Sequence, residues 1–298
     1  MSDFLQLLVS GLALGTIYAL VALGFVVIYR SSQVFNFAHG EFLTFGAFMA
    51  ITLLDLGLPW GVAVLGAMAA TGILGAIIEK SVLRPLVGRP VFVPIILTIF
   101  VGSVLRTLML LKWGSEPRGL PTPWDTLSSI SVGGASLLVN SIAAVGASGV
   151  ALISYFLLIR YTRMGVAMRA TSSDQETALG LGIPVGRVLG STWFIAGAFA
   201  ALAGIFLGLF PRNVDINLGF VAMRAFPAVI IGGLESPGGA IIGGIFLGIL
   251  EVLTQGYINP LLGEFGKDFH AVFPYLVMIV FLVVRPYGLF GMSRVQRV

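Results

Sequence analysis

Long apolar runs separated by short polar segments constrain this chain more than any other feature of its sequence. Only 10% of its residues are charged, against roughly 25% in a soluble domain, and the mean hydropathy is +1.02. Because so few charges cannot cover the surface against water, lipid is expected to be the solvent for most of it. Backbone hydrogen bonds must then be satisfied within each segment, which favours helices. The sequence predicts an all-α polytopic transmembrane helical bundle.

Nine apolar runs approach the roughly 20 residues that a helix needs to cross the hydrocarbon. The predicted spans are 5–29, 37–54, 60–78, 91–111, 136–159, 188–210, 221–233, 239–258 and 271–288. The first lacks a charged leader and a clear cleavage site, so we interpret it as a retained span. The seventh is too short for a simple crossing, which predicts a short or broken helix. We therefore expect about eight to nine spans in one transmembrane domain, residues 1–298.

Lysine and arginine in the loops predict the orientation, because cytoplasmic loops carry an excess of both. With the N-terminus outside, eleven of these residues fall on the inner side and five on the outer side. The inner set is Arg30, Lys80, Arg84, Arg89, Arg160, Arg163, Arg169, Arg187, Arg285, Arg294 and Arg297. The outer set is Lys112, Arg118, Arg212, Arg224 and Lys267. Arg106 and Glu251 are isolated within apolar runs. We expect Arg106 either to form an interhelical hydrogen bond or to extend toward the membrane surface, and Glu251 to face the bundle.

Several kinds of chemistry are excluded or disfavoured by what the sequence lacks. It has no cysteine and only two histidines, His39 and His270, so no metal site or cofactor is predicted. It has no paired carboxylates at useful spacing and no nucleophile motif, so no enzyme is predicted. Its cations lie between apolar runs instead of clustering, which disfavours nucleic acid as a partner. It also lacks a G-x-x-x-x-G-K-[ST] phosphate loop, so any nucleotide must bind to another chain.

Pairs of glycines four residues apart predict close contacts between helices. Gly-x-x-x-Gly places two small residues on one helix face, where a second backbone can approach. The pairs are Gly11 with Gly15, Gly204 with Gly208, and Gly244 with Gly248.

The longest segment on the predicted inner side, residues 160–187, is a candidate contact for a cytoplasmic partner. Residues 169–178 are predicted to form a short helix, which Gly180 and Gly182 end before Pro184. Such a helix outside the bilayer suits docking into a groove. The composition alone is equally consistent with a solvated connector.

Two polar segments within apolar surroundings are candidates for a substrate pathway. The first contains Asn36, His39, Gly40 and Glu41, since polar groups at membrane depth are costly unless they face a cavity or a partner. Gly40 could let the helix unwind there. The alternative is a helix start with Asn36 as its N-cap and Glu41 near the positive helix end. The second contains Glu235 and Ser236 in a Gly-Pro-rich stretch, for which a tight cytoplasmic turn is the alternative.

The motifs in these segments resemble those of the branched-chain amino acid ABC permeases, most closely the LivH branch. The pattern Arg169-Ala170-x-x-x-Asp174-x-x-x-Ala178-x-x-x-Gly182-Ile183 is similar to the coupling loop of that family, and Asn36-Phe37-Ala38-His39-Gly40-Glu41 to its N-terminal signature. Further matches are Phe194-Ile195-x-Gly197, Gly219-Phe220, Gly232-Gly233, Pro237-Gly238, Gly243-Gly244 and Arg285-Pro286-x-Gly288-Leu289-x-Gly291. They cover essentially the whole chain in the order of the family.

This resemblance implies one subunit of a larger importer in the bacterial cytoplasmic (inner) membrane. The implied partners are a second permease in a heterodimer, two cytoplasmic ATPases, and a periplasmic or extracellular substrate-binding protein, with membrane lipid around the chain. It also implies that Arg169, Ala170, Asp174, Ala178 and Gly182 contact the ATPase. The implied substrate is a branched-chain amino acid. The alternatives are urea or short amides within the same family, and a self-sufficient channel or secondary transporter.

Overall fold

The helices of the computed structural model follow the apolar runs of the sequence. The structure describes residues 2–86, 89–90, 92–126, 128–132, 135–209, 211–286 and 288–291; the predicted inner cations Arg294 and Arg297 lie outside these ranges. In chain order the helices are α1 (Ser2–Ser32), α2 (His39–Asp55), α3 (Trp60–Ile78), α4 (Phe92–Trp113), α5 (Val139–Tyr161), α6 (Arg163–Ser173), α7 (Gln175–Gly180), α8 (Val185–Leu207), α9 (Gly219–Arg224), α10 (Phe226–Gly232), α11 (Pro237–Leu253), α12 (Asn259–Leu261) and α13 (Phe269–Val284).

Each predicted span corresponds to a helix or a pair of helices. Within the described ranges, six helices are long and apolar enough to cross a membrane, and Gly219–Gly232 and Phe269–Val284 are shorter apolar stretches. The predicted seventh span is the pair α9 and α10, which meet at Ala225, so the expected short or broken helix is confirmed. A small antiparallel hairpin, β1 (Ser129–Val132) and β2 (Ala135–Leu138), lies between α4 and α5.

The first helix packs against α11 through the predicted glycine pairs. A Cβ added at Gly11 would lie 2.7 Å from the Cα atom of Ile249, and one added at Gly244 would lie 2.6 Å from that of Ala19. The two helices therefore run antiparallel, with their backbones in direct contact. In the apolar window of Phe4–Ser32, 89% of the residues are buried, so α1 forms the centre of the bundle. The predicted close approach of these helices is confirmed.

A second close contact joins α8 to α2. A Cβ at Gly204 would overlap the backbone of Leu43, and one at Gly46 would overlap Ala201. The end of α8 differs, because the partner of Gly208 is the side chain of Val214 in the following loop. This contact holds the start of α2 inside the bundle.

One end of the bundle is tied together by polar contacts between distant segments. The Gln175 side chain donates to the carbonyl of Ser31 at 2.6 Å. The Arg84 guanidinium donates to both carboxylate oxygens of Glu79, at 3.0 and 2.5 Å, and to the carbonyl of Gly186 at 2.6 Å. The end of α1, the turn after α3 and the segment 162–187 therefore share this end. It carries most of the cations that were assigned to the inner side.

Candidate functional site

After α1 the chain folds back into the bundle before α2 begins. Gln33 has a φ of +56°, and the Phe37 amide donates to the Thr98 hydroxyl at 3.1 Å. The ring of His39 packs against Gly24, where an added Cβ would lie 2.5 Å from it. Gly24 is eight residues before the end of α1, or about 12 Å along the helix. The His39 ring therefore lies against the apolar run of α1, well before the end of that helix.

The local structure of this segment confirms part of the helix-start alternative, since α2 begins at His39 and Glu41 lies in its first turn. The Asn36 side-chain oxygen accepts from the Ala38 amide at 3.1 Å, an Asx turn, and Ala38 is the residue that precedes α2. Asn36 is therefore not the N-cap. Gly40 lies within the first turn of α2, so the expected unwinding is also wrong. A Cβ at Gly40 would lie 2.5 Å from the Gly219 carbonyl oxygen, so Gly40 allows α2 and α9 to cross.

Glu41 belongs to a polar cluster that four segments build. Its carboxylate lies 3.5 Å from the Nη1 atom of Arg106 on α4. The Nη2 atom of Arg106 donates to the side-chain oxygen of Asn217 at 2.6 Å, and its guanidinium lies 4.6 Å from the centre of the Phe220 ring on α9. We call Glu41, Arg106, Asn217 and Phe220 the Glu41 cluster. Asn217 and Phe220 are exposed, so the cluster opens onto the surface of the isolated chain.

A second ion pair lies at the other end of α9, where it holds helices together. The Nη1 atom of Arg224 lies 3.4 Å from Glu251 on α11, and the Tyr18 hydroxyl donates to the other oxygen of Glu251 at 2.7 Å. Glu251 is 2% exposed, which confirms that it faces the bundle. Arg224 is therefore not in an outer loop, contrary to the prediction. The hydrogen bond from Arg106 to Asn217 likewise confirms that Arg106 contacts a neighbouring segment.

Glu235 and Ser236 lie at a turn that is separate from the Glu41 cluster. The Ser236 hydroxyl accepts from the Gly239 amide at 3.1 Å and caps α11. Gly233 has a φ of +102° and packs against the backbone of Phe290 and Gly291. Since α11 runs antiparallel to α1, this turn lies toward the cation-rich end.

The segment 160–187 forms two helices where the sequence predicted one. Asp174 adopts φ −160° and ψ 114°, which ends α6, and its side chain accepts from the Thr177 amide at 2.9 Å to cap α7. Ser172 and Ser173 both donate to the Arg169 carbonyl, and such side-chain bonds compete with a continuous helix. The single helix predicted over 169–178 is therefore wrong. The hydrogen bond from the Thr177 amide also holds the pKa of Asp174 below its ordinary value of 3.8, so the cap is ionised at neutral pH.

Gly182 ends this helix pair in a Schellman motif. It has a φ of +81°, its amide donates to Leu179, and the Ile183 amide donates to Ala178. The predicted stop at Gly180 and Gly182 is confirmed.

The five residues predicted to contact an ATPase differ in exposure. Arg169, Asp174 and Gly182 are exposed, Ala170 is half-buried and Ala178 is buried. Arg169 donates to the carbonyl of Ile159. Two residues that the sequence analysis missed, Leu179 and Leu181, are 65% and 76% exposed. This end of the chain therefore presents apolar side chains beside charged ones.

A cavity of about 160 Å³ lies between this helix pair and the start of the folded-back segment. Its walls include Gln33, Glu79, Arg84, Gln175 and Trp193. Beside it, the Ser31 hydroxyl donates to the Thr192 hydroxyl at 3.0 Å. The helix pair thus contacts the chain directly before residues 36–41.

A helical bundle with several membrane-crossing helices, a polar cluster beside a broken helix and an exposed helix pair at one end has the architecture of a membrane permease. The chain belongs to the family described as "Branched-chain amino acid transport system / permease component", whose model matches residues 7–282.

Two curated relatives match over nearly their whole length. The chain is 32% identical over 310 residues to the high-affinity branched-chain amino acid transport system permease protein LivH of Escherichia coli K12, covering 99% of this chain and 98% of the relative. It is 32% identical over 308 residues to BraD of Pseudomonas aeruginosa, which carries the same description, with the same coverage. The solved structure of PsaBC from Streptococcus pneumoniae in complex with Fab has a TM-score of 0.56 at 14% identity and covers 96% of this chain and 92% of that chain. That likeness shows a shared fold.

Proposed function

We propose that this chain is the permease subunit of an ATP-driven, binding-protein-dependent importer for branched-chain amino acids in the bacterial inner membrane. The observation that carries this proposal is the match to LivH and BraD over almost the full length of both. Residues 1–298 form one permease domain. Because the sequence contains no phosphate loop, ATP hydrolysis is assigned to two cytoplasmic partner subunits, and a periplasmic or extracellular protein delivers the amino acid.

A second permease subunit completes the pathway, and the Glu41 cluster indicates where it packs. Glu41 is half-buried two residues after His39, whose ring packs against Gly24 of α1, while Asn217 and Phe220 are exposed on the surface of this chain. Charged and amide groups at that depth are costly in contact with lipid. We therefore place the heterodimer interface and the pathway along the face of α4 and α9.

Within this pathway, the folded-back segment forms the wall and Glu41 supplies its polar group. Gly40 allows α2 to cross α9, Asn36 fixes the turn that enters α2, and His39 packs the start of α2 against α1. Glu235 and Ser236 lie toward the inner mouth, at the turn between α10 and α11. Aliphatic substrates require a mostly apolar passage with few polar groups.

The helix pair α6–α7 is the proposed contact with an ATPase. It presents Arg169, Asp174 and the exposed Leu179 and Leu181, which suits a partner groove with apolar and charged walls. Closure of the ATPases would move α7, and the bond from Gln175 to Ser31 would carry that movement to the start of the folded-back segment. The pathway would then open alternately to the two sides of the membrane.

The isolated chain is expected to be inert, because it has no nucleotide site of its own. Purified chain in liposomes would be assayed for ATP hydrolysis and for leucine uptake, alone and after reconstitution with the second permease, the ATPases and the binding protein. ATP-dependent uptake by the complete assembly, and none by the chain alone, is the expected result. Uptake by the chain alone, driven by an ion gradient, would instead identify a secondary transporter.

Replacing His39 with alanine is expected to reduce leucine uptake more than it reduces assembly. His39 is fully buried and its ring lies 4.5 Å from that of Phe25, so its loss leaves a cavity between α1 and the start of α2. We expect uptake per assembled complex to fall about tenfold, which corresponds to about 1.4 kcal/mol of barrier.

The matched control is His270→Ala, which removes the other histidine near the start of α13. Uptake per complex should be retained in that variant. A fall in His39→Ala uptake that only matches the fall in assembled complex would show that His39 is needed for folding alone.

A further inference from the structure

We propose that Glu41 and Arg106 form a transient site for the zwitterionic backbone of an α-amino acid. Glu41 would receive the substrate ammonium group and Arg106 its carboxylate group. The inference rests on the proposed function, and it names the groups in the pathway that distinguish an amino acid from a neutral solute.

The ion pair between these residues leaves part of its hydrogen-bonding capacity unused. The Nη1 atom of Arg106 lies 3.5 Å from Glu41, but neither this atom nor the Oε2 atom of Glu41 has a hydrogen-bond partner among the described residues, although both atoms are buried. Buried charged groups without such bonds carry a desolvation cost. A zwitterion that places its ammonium on Glu41 and its carboxylate on Arg106 would supply the missing bonds.

The rest of the cluster orients Arg106 for this exchange. Asn217 accepts from Nη2 at 2.6 Å, and the ring of Phe220 lies 4.6 Å below the guanidinium. These contacts fix the plane of the guanidinium group, and they leave Nη1 without a hydrogen-bond partner among the described residues. Planar guanidinium groups match the geometry of carboxylates. Phe220 is 60% exposed and offers an apolar surface to an aliphatic side chain.

Gly102 on α4 lies directly beside Glu41. A Cβ added there would lie 3.7 Å from the Cγ atom of Glu41 and 3.5 Å from the Cα atom of Ala38. A larger side chain at this position would therefore press against the Glu41 side chain.

The pair Arg224–Glu251 shows what a structural ion pair looks like in the same bundle. Its carboxylate is 2% exposed and both of its oxygens have partners, Arg224 on one and Tyr18 on the other. The two pairs have similar separations between guanidinium nitrogen and carboxylate oxygen, 3.4 and 3.5 Å. Each also involves a residue of α9, Arg224 in one pair and Phe220 beside the other. They differ in the hydrogen bonding of their carboxylate oxygens and in the exposure of the carboxylate. Of these two pairs, the Glu41 pair is therefore the one suited to exchange partners with a ligand.

Exchange of this kind requires a substrate with both charges. The charges of the pair and those of the zwitterion cancel before and after exchange, so no net charge is transferred into the membrane. Urea and short amides cannot replace either member of the pair. The site therefore favours α-amino acids over neutral solutes.

Neutral double variants separate a ligand site from a structural ion pair. Removing one member of a buried pair leaves an unpaired charge, whereas replacing both members is often nearly neutral for stability. We therefore compare Glu41→Gln, Arg106→Gln and the double variant carrying both, each in the complete reconstituted assembly. ATP-driven leucine uptake is measured as an initial rate per assembled complex.

The expected result is that all three variants lose at least about tenfold in uptake rate, which is about 1.4 kcal/mol, and that the double variant assembles normally. The matched control is the double variant Arg224→Gln with Glu251→Gln, in which the uptake rate per complex should stay close to that of the unchanged complex. Recovery of uptake in the Glu41→Gln, Arg106→Gln double variant would overturn the inference, because it would make the pair purely structural. If the unchanged complex transports no leucine, the proposed function itself fails, and that outcome is read before any variant.

Discussion

Lysine in place of Asp174 is expected to abolish ATP-driven uptake while the membrane bundle still folds and pairs with its fellow permease. Asp174 both ends α6 and caps α7, through its bond to the Thr177 amide at 2.9 Å. Lysine cannot accept that bond, and it places a positive charge at the positive end of a helix. The surface that carries Leu179 and Leu181 then loses its fixed geometry. Co-purification of the ATPase subunits and substrate-stimulated ATP hydrolysis are the measurements.

Asparagine at the same position is the matched control, because it retains a side-chain acceptor and is a good N-cap. Asp174→Asn should keep both docking and stimulated hydrolysis. If Asp174→Lys also keeps them, the coupling surface lies elsewhere on the chain.

Two glycines two residues apart, Gly180 and Gly182, test the same surface without any change of charge. Gly182 requires a φ of +81° and Gly180 does not, and an added Cβ meets nothing within 4 Å at either position. Left-handed backbone costs a residue with a side chain roughly 1–2 kcal/mol. Gly182→Val should therefore weaken ATPase docking, while Gly180→Val should be tolerated. Equal docking by the two variants would contradict this role for the bend at Gly182.

Valine in place of Gly248 is expected to remove most of the folded chain from the membrane. A Cβ at this position would overlap the backbone of Gly15 on α1, and it would lie 2.8 Å from the Gly11 carbonyl oxygen. Neither neighbour is a flexible side chain, so α11 must move away from the central helix. Overpacking of this kind typically costs 1–3 kcal/mol or more. The measurement is the amount of monodisperse protein recovered after mild detergent extraction.

Gly149→Val provides the comparison for this prediction. Gly149 lies inside α5, and an added Cβ meets nothing within 4 Å. Both variants place the same β-branched side chain in a helix, so their difference reports the contact between α1 and α11. Similar recovery of the two variants would mean that these helices can separate without loss of the fold.

The sequence predicted the helices well because an apolar run in lipid must satisfy its own backbone hydrogen bonds, and the helix is the structure that does so within one segment. The short or broken seventh span was also predicted, since the run was too short to cross, but the position of the break at Ala225 was not. The glycine pairs predicted close helix contacts, and the structure adds that the pairs on α1 and α11 face each other. These features depend on local composition and spacing, which a single sequence displays directly.

The polar cluster was only half visible in the sequence. Glu41 and Arg106 were both noticed as charges within apolar runs, but nothing in their spacing indicated that they meet. Asn217 carried no signal, because it lies in an ordinary polar loop, and Phe220 stood out only in the family match Gly219-Phe220, which gave no indication of a contact with Arg106. Their contact depends on the fold-back after Gln33, a residue with positive φ that is not glycine. The contact between His39 and Gly24 was not predicted for the same reason.

The helix pair at 163–180 illustrates a different limit. Helix formers and terminal glycines were correctly recognised, but the break at Asp174 was not. The sequence Ser172-Ser173-Asp174 offers side chains that either extend one helix or cap the next, and propensity alone does not choose between them. The choice is made by packing: Ala178 is buried, and Gln175 bonds to the end of α1.

Transport specificity of the complete assembly tests the central claim most directly. The chain would be reconstituted in liposomes with the second permease, the two ATPases and the binding protein, and initial rates of ATP-dependent uptake would be compared for leucine, urea and acetamide. The account predicts ATP-dependent accumulation of leucine, with urea and acetamide remaining at the level seen without ATP. ATP-dependent accumulation of urea or acetamide without that of leucine would contradict it.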